Sequence, residues 1–349
     1  IGNAAGRGVT EHHESGGIAM RAMIINQFGG PEVFKEADIP IPALKPGHIL
    51  IRVRATSVNP VDCLIRSLGP PFAPALPAVL HGDVAGTVER VAPDVVTFKA
   101  GDEVYACAGG VIGSGGALAE YMLADTALVA HKPKTLSWRE AAALPLVAIT
   151  AWEGIFNRTR IQPGQTVLIH GGAGGVGHIA AQLAQQAGAH VFVTVSSEHK
   201  AQLARTLGIT GTINYRQESV DDYVARVTGG DGFDVVFDTV GGGNLAASFV
   251  AAKRNGAVVT TVALGSFDLA PVHMKALSLH VIFMLIPLIY AAGRAAHGAL
   301  LHSLSERIDQ RQLRPLLDPH DFGFTDVAAA HELLESGQAV GKVVLQVAP

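Results

Sequence analysis

Gly172, Gly174 and Gly177 stand in the stretch V-L-I-H-G-G-A-G-G-V-G at the G-x-G-x-x-G spacing that suits a dinucleotide pyrophosphate. The chemistry is electrostatic. With no Cβ in the way, backbone N–H groups and the positive end of a helix dipole can face an anion, and here Gly174, Gly175 and Val176 present those amides. The spacing by itself also suits a plain tight turn. Its setting argues for the nucleotide: an apolar run at 167–170 precedes it, Ile179 to Ala187 follows with helical spacing, and a second β-type run occupies 191–195.

Such a unit usually places an acidic residue about twenty positions later, against the ribose hydroxyls. Here the second run ends in Ser196 and Ser197, followed by Glu198, His199 and Lys200. Two hydroxyls and an ammonium suit a 2′-phosphate better than a diol, so NADP(H) is expected over NAD(H). Taken alone, Lys200 also reads as a solvated lysine in a first helical turn.

The elements that must position these groups are legible around them. Runs at 167–170, 191–195, 211–214, 235–238 and 258–262, separated mostly by helical patterns, predict a parallel sheet in an α/β domain. From Met20 to about 148 the chain gives short alternating segments broken by Pro and Gly, which predicts a compact β domain. Asn59 and Pro60 open a turn, after which Asp62 caps a short helix carrying Arg66; these two either bracket a cleft or pair with one another at i, i+4. Residues 1–19 lack both periodicity and a secretory pattern, and are set apart as an extension.

Composition removes several function classes. A length of 349 residues allows about two domains, and 48% hydrophobic with 16% charged residues predicts a globular protein with an ample core. A net charge of −4 gives nucleic acid no basic footprint. Cys63 and Cys107, the only cysteines, form no C-x-x-C, which leaves neither a disulfide framework nor a cysteine-rich zinc site and points to the cytoplasm. The apolar stretch at 277–292 is too short for a membrane span and contains Pro287.

The order S-V-N-P-V-D, V-L-H-G-D-V-A-G-T-V, G-D-E-V-Y-A, A-L-P-L-V-A-I-T-A-W-E-G-I, V-L-I-H-G-G-A-G-G-V-G, I-N-Y-R and G-K-V-V-L resembles the medium-chain dehydrogenase/reductase superfamily, in its zinc-free branch of zeta-crystallin-like quinone oxidoreductases. The resemblance covers nearly everything after Met20. It implies a GroES-like β domain built from 20–148 and 286–349, with a Rossmann doubly wound sheet inserted at 149–285. Asn59 then resembles the cleft asparagine near the nicotinamide ribose, and Thr150 a threonine at the nicotinamide side; a turn-former and a buried helix threonine are the plainer readings. Tyr215 resembles a tyrosine by the 2′-phosphate, or is a surface tyrosine at a strand end. Val240, Thr261 and Ala263 fall near the carboxyl ends of the fourth and fifth strands, where open parallel sheets bind ligands. Phe283, in I-F-M-L-I-P-L-I-Y, is placed at the last Rossmann strand, near the nicotinamide and an edge that pairs with a second subunit in a homodimer. Lys342 either reaches the cofactor or is a surface lysine.

Zinc-dependent relatives polarise a carbonyl with a metal held by Cys and His. The positions resembling those ligands hold Asn59 and Gly82, with His81 one residue away, so no metal is expected. Without a Lewis acid the acceptor must delocalise its own charge, as quinones and α,β-unsaturated carbonyls do. The resemblance thus implies an NADPH-dependent, zinc-independent reductase of small-molecule quinones or enones. The alternatives are an enoyl-thioester or alcohol reductase and a non-catalytic nucleotide-binding structural or partner-binding protein. Some relatives that reduce enoyl thioesters carry a tyrosine, a proposed proton donor, where this chain has Leu68, Gly69, Pro70 and Pro71, so no general acid is assigned.

Overall fold

A computed structural model describes residues 19–209 and 211–347. A six-stranded parallel sheet runs, in spatial order, through Gly211–Asn214, His190–Val195, Thr166–His170, Phe233–Asp238, Ala252–Thr260 and Ser278–Val281. Numbered along the chain this is 3-2-1-4-5-6, the doubly wound order whose switch point lies between Thr166–His170 and Phe233–Asp238. Side chains alternate across it: Val167 and Ile169 enter one apolar cluster and Leu168 the other, as a sheet covered on both faces requires.

The rest of the chain builds two more sheets. One orders Phe34–Pro40, Ala19–Ile25 and Ala78–Val79. The other is seven-stranded and takes Phe322–Gly323 and Val344–Gln346 from the far end of the chain, adding Val344 opposite Ser57 on strand His48–Ser57. Helix Arg294–Asp309 also belongs here, since Tyr105 donates to Leu301 O at 2.6 Å and Ser305 to His131 O at 2.8 Å. One continuous apolar cluster joins this unit to the parallel sheet, with Val53 and Leu345 in the same core as Ile169 and Ile179.

Two expectations need correction. The strand expected across I-F-M-L-I-P-L-I-Y ends earlier, at Ser278–Val281; Ile282 still donates to Thr260 O, but Pro287 then falls in the first turn of helix Ile286–Tyr290, where its fixed φ suits a helix start. The fold also starts before Met20, because Ala19 pairs with Pro40; the rest of the 1–19 extension lies outside the described residues.

Candidate active site

Each glycine of the turn has its own reason. A Cβ on Gly172 would come within 2.3 Å of Val193 Cβ, and one on Gly177 within 2.2 Å of Gly171 O, so these two allow strand and helix to approach. Gly174 differs: its Cβ would meet only Gly171 O, at 3.1 Å, and it caps helix Gly175–Gln186. That leaves a cradle of amides at a helix start with room for a phosphate against the backbone. His170 Nε2, buried at the carboxyl end of the central strand, has no hydrogen-bond partner. The residues present fit a dinucleotide.

The far end of the chain closes one side of this cradle. Gly341 donates to Ala173 O at 2.7 Å and bridges to Gly174. Leu316 N–H donates to His178 Nε2 at 2.9 Å, so the neutral ring carries its proton on Nδ1 and gives it to Gly174 O at 2.8 Å. Burial holds His178 down at about 4.

Lys342 is not a surface lysine; it is 3% exposed. Its ammonium donates to Val58 O at 3.1 Å and Asn59 Oδ1 at 2.5 Å and lies 3.6 Å from Asp83 Oδ2. Asp83 in turn accepts from Ser57 Oγ, Asn59 Nδ2 and Leu146 N, each at 2.8 Å. Burial pushes Lys342 below its ordinary value, and the carboxylates of Asp83 and Asp62 pull it back. Burial lifts Asp62 to about 7 although Asn59 N–H donates to it at 2.7 Å. Asp83 carries no role in the sequence reading; its signal was an acid standing directly before the apolar run Val84–Ala85.

The expected Asp62–Arg66 pair does not form. Arg66, 1% exposed, instead donates to Gly29 O at 2.7 Å, to Glu335 Oε1 at 2.5 Å and to His331 Nδ1 at 3.2 Å. A charged partner and a carbonyl on other elements satisfy the guanidinium fork better than one carboxylate on its own helix. His331 continues to His81 and then Thr56 Oγ1, which donates to Asp83 O at 2.7 Å. His81 holds a left-handed φ of +72°, braced by a loop in which a Cβ on Gly116 would come within 1.9 Å of Leu80 O.

The remaining expected residues divide. Thr150 is buried and donates back to Leu146 O at 2.8 Å, a structural use of its hydroxyl. Ser197 caps helix Glu198–Thr206 by accepting from Lys200 N. Burial, then the Arg216 charge, lowers the Lys200 ammonium, which donates to Gly337 O at 3.4 Å, while Tyr215 N–H donates to Val195 O at 3.3 Å and brings the loops after strands His190–Val195 and Gly211–Asn214 side by side. Tyr215 itself is exposed. Val240 is exposed beyond strand Phe233–Asp238, and Thr261 donates its N–H to Asp238 O, leaving Ala263 in the loop that follows. Phe283 meets Phe72 edge-on at 5.4 Å, which joins the 67–77 loop to the 283 region as one apolar wall.

The donor set does not fit a zinc ion at the ligand-like positions. Asn59 spends its amide on Asp83 and Lys342, Gly82 has no side chain, and His81 Nε2 is bonded to His331. Among the described residues no group of three or more His, Cys, Asp or Glu is arranged to hold a metal. Burial raises the Cys63 thiol to about 12 and the Cys107 thiol well above its ordinary range. No described helix is long and apolar enough to cross a membrane.

Comparison with known proteins agrees with this architecture. Residues 45–134 match the alcohol dehydrogenase GroES-like domain, and residues 207–345 match the family described as zinc-binding dehydrogenase. The chain is 34% identical over 339 residues to the NADPH-dependent alkenal/one oxidoreductase, chloroplastic, of Arabidopsis thaliana, covering 95% of this chain and 80% of that one. It is 31% identical over 328 residues to the quinone oxidoreductase of Rattus norvegicus, covering 93% and 97%. The crystal structure of an alcohol dehydrogenase superfamily protein from Novosphingobium aromaticivorans superposes with a TM-score of 0.89 at 38% identity, over 94% of this chain and all of that one. The chain therefore belongs to the medium-chain dehydrogenase/reductase superfamily, in its quinone oxidoreductase, zeta-crystallin-like branch.

Proposed function

We propose that this protein is an NADPH-dependent oxidoreductase that transfers hydride to quinones or α,β-unsaturated carbonyls without a zinc ion. One observation carries the reading: a dinucleotide cradle shares its cleft with ligand-like positions whose side chains are spent or absent. Bound NADPH supplies the hydride from nicotinamide C4. The protein's part is to bind and orient. Gly174, Gly175 and Val176 would offer amides to the pyrophosphate, while Ser196, Lys200, Arg216 and Tyr215, on the loops and helix that follow two adjacent strands, would take the 2′-phosphate. Phe72 and Phe283 form a wall that keeps water from one side of a planar acceptor. The conjugated acceptor spreads the arriving charge, and a reduced quinone takes its proton from water.

The test is oxidation of NADPH and NADH by metal-free protein with an ortho-quinone, a para-quinone and an enone. Turnover of at least one acceptor, faster with NADPH, is expected. Silence across the panel with NADPH still bound would favour a non-catalytic nucleotide-binding protein.

The same reading includes a cytoplasmic homodimer. Its support is the outer strand Ser278–Val281, which ends the parallel sheet beside exposed Val281, Ile286 and Tyr290. Sedimentation should give twice the chain mass; a monomer would remove the dimer.

A further inference from the structure

The far end of the chain touches the phosphate turn without offering it a charge. Lys342 lays its stem on Gly175, where a Cβ would come within 3.0 Å of Lys342 Cδ, but its ammonium runs on into the β domain. An ammonium has only three N–H bonds, and this one has Val58 O, Asn59 Oδ1 and Asp83 Oδ2 around it. Two of those bonds are spent on the oxygens of Val58 and Asn59, and the ammonium's remaining charge faces the Asp83 carboxylate as an ion pair at 3.6 Å, which would repel an anion.

A second path leads from the same glycine to the same carboxylate. Val147 Cγ1 would lie 3.2 Å from a Cβ on Gly175, and Val147 sits in helix Pro145–Trp152 beside Leu146, whose N–H donates to Asp83 Oδ1. Asp83 thus collects both contacts of the turn and passes them to the Asn59 amide, which it and Lys342 hold from opposite ends at 2.8 and 2.5 Å.

We infer that Lys342 is a positioning residue and not a phosphate ligand: it neutralises Asp83 and fixes Asn59, locking the β-domain side of the cleft to the phosphate turn. This rests on the NADPH reading above. It makes the geometry at Asn59 depend on a lysine that never meets the cofactor.

The experiment compares wild type with Lys342→Gln, Asp83→Asn and the double variant. NADPH affinity is followed by nicotinamide fluorescence over a series of salt concentrations, together with thermal unfolding and steady-state kinetics on an ortho-quinone. Lys342→Gln should lower the melting temperature, because it leaves a buried carboxylate unpaired, and the double variant should recover most of that loss. The salt dependence of NADPH affinity should match wild type throughout. The double variant should still turn over about tenfold or more slowly, with KM for NADPH within about threefold of wild type.

A shallower salt dependence in Lys342→Gln with unchanged kcat would make Lys342 a phosphate ligand and overturn the inference. Full recovery of kcat along with melting temperature would reduce it to a stability role. If Lys342→Gln alone fails to fold, Asp83→Asn and the double variant carry the same comparison. A wild type that binds NADPH but reduces no acceptor removes the oxidoreductase reading, while the salt arm still decides whether Lys342 meets phosphate. A wild type that binds no NADPH removes both.

Discussion

His81 and His331 meet Nε2 to Nε2 at 2.9 Å, and Arg66 sets which ring donates. A guanidinium only donates, so His331 Nδ1 accepts from Arg66, the ring's proton sits on Nε2, and His81 receives it there while giving its own Nδ1 proton to Thr56 Oγ1. Both rings are neutral in this arrangement. Burial, then the Arg66 charge, holds His331 at about 3, and burial, then His331 and Lys342, pushes His81 well below its ordinary value. Cys63 also faces His331, and Glu335 anchors Arg66 from the same helix.

The sign of the pH effect follows. Below about pH 6.5 the unfolded chain gains protons that the folded rings refuse, so stability falls with acidity, by up to about 1.4 kcal/mol per pH unit for His331, until its folded form protonates. His331→Gln keeps a donor for His81 and an acceptor for Arg66 but does not titrate. Its urea midpoint should fall less between neutral and mildly acidic pH than that of wild type. Parallel losses in the two proteins would show that the pair does not set the acid limb.

Lys200 and Arg216 form a cationic corner whose mutual repulsion a phosphate would relieve. Lys200→Ala and Arg216→Ala should each weaken NADPH binding by about tenfold or more and leave NADH within about twofold, as the loss of a charge-assisted phosphate contact predicts. Equal losses for both nucleotides would place the 2′-phosphate elsewhere.

The glycine turn separates packing from binding. Gly177→Ala puts a methyl against the Gly171 carbonyl and should lower the melting temperature. Gly174→Ala meets one backbone oxygen at 3.1 Å and has extended backbone at φ −89°, so it should lower the melting temperature less than Gly177→Ala and lose about tenfold or more in NADPH affinity. Wild-type affinity in Gly174→Ala would show that the pyrophosphate lies off this turn.

Phe283 is exposed and packs edge-on against Phe72. Truncation to Ala removes apolar surface from the proposed acceptor wall, so KM for an apolar quinone should rise by up to about tenfold with KM for NADPH little changed. A rise confined to NADPH would move this wall to the cofactor.

What was legible in the sequence was local. The glycine turn, the runs beside it and the helix after Asn59 depend on neighbours a few residues away, and their types and spacing carry that information. The buried polar clusters depend on partners that spacing cannot see: Lys342 meets Asn59 across 283 residues, Arg66 meets Glu335 across 269, and His81 meets His331 across 250. Arg66 shows the competition directly. Its i, i+4 neighbour Asp62 was available, but tertiary packing supplied a carboxylate, a carbonyl and an imidazole at once.

Strand Val344–Gln346 completes the seven-stranded sheet beside His48–Ser57. During synthesis, that edge is made long before the segment that covers it, and the whole parallel-sheet domain emerges in between. Pairing of such high contact order is slow and leaves an open strand able to join other chains. The inserted domain is therefore free to fold first and bring the two halves of its host together, so yield on refolding should depend on chain concentration more steeply than native stability would suggest.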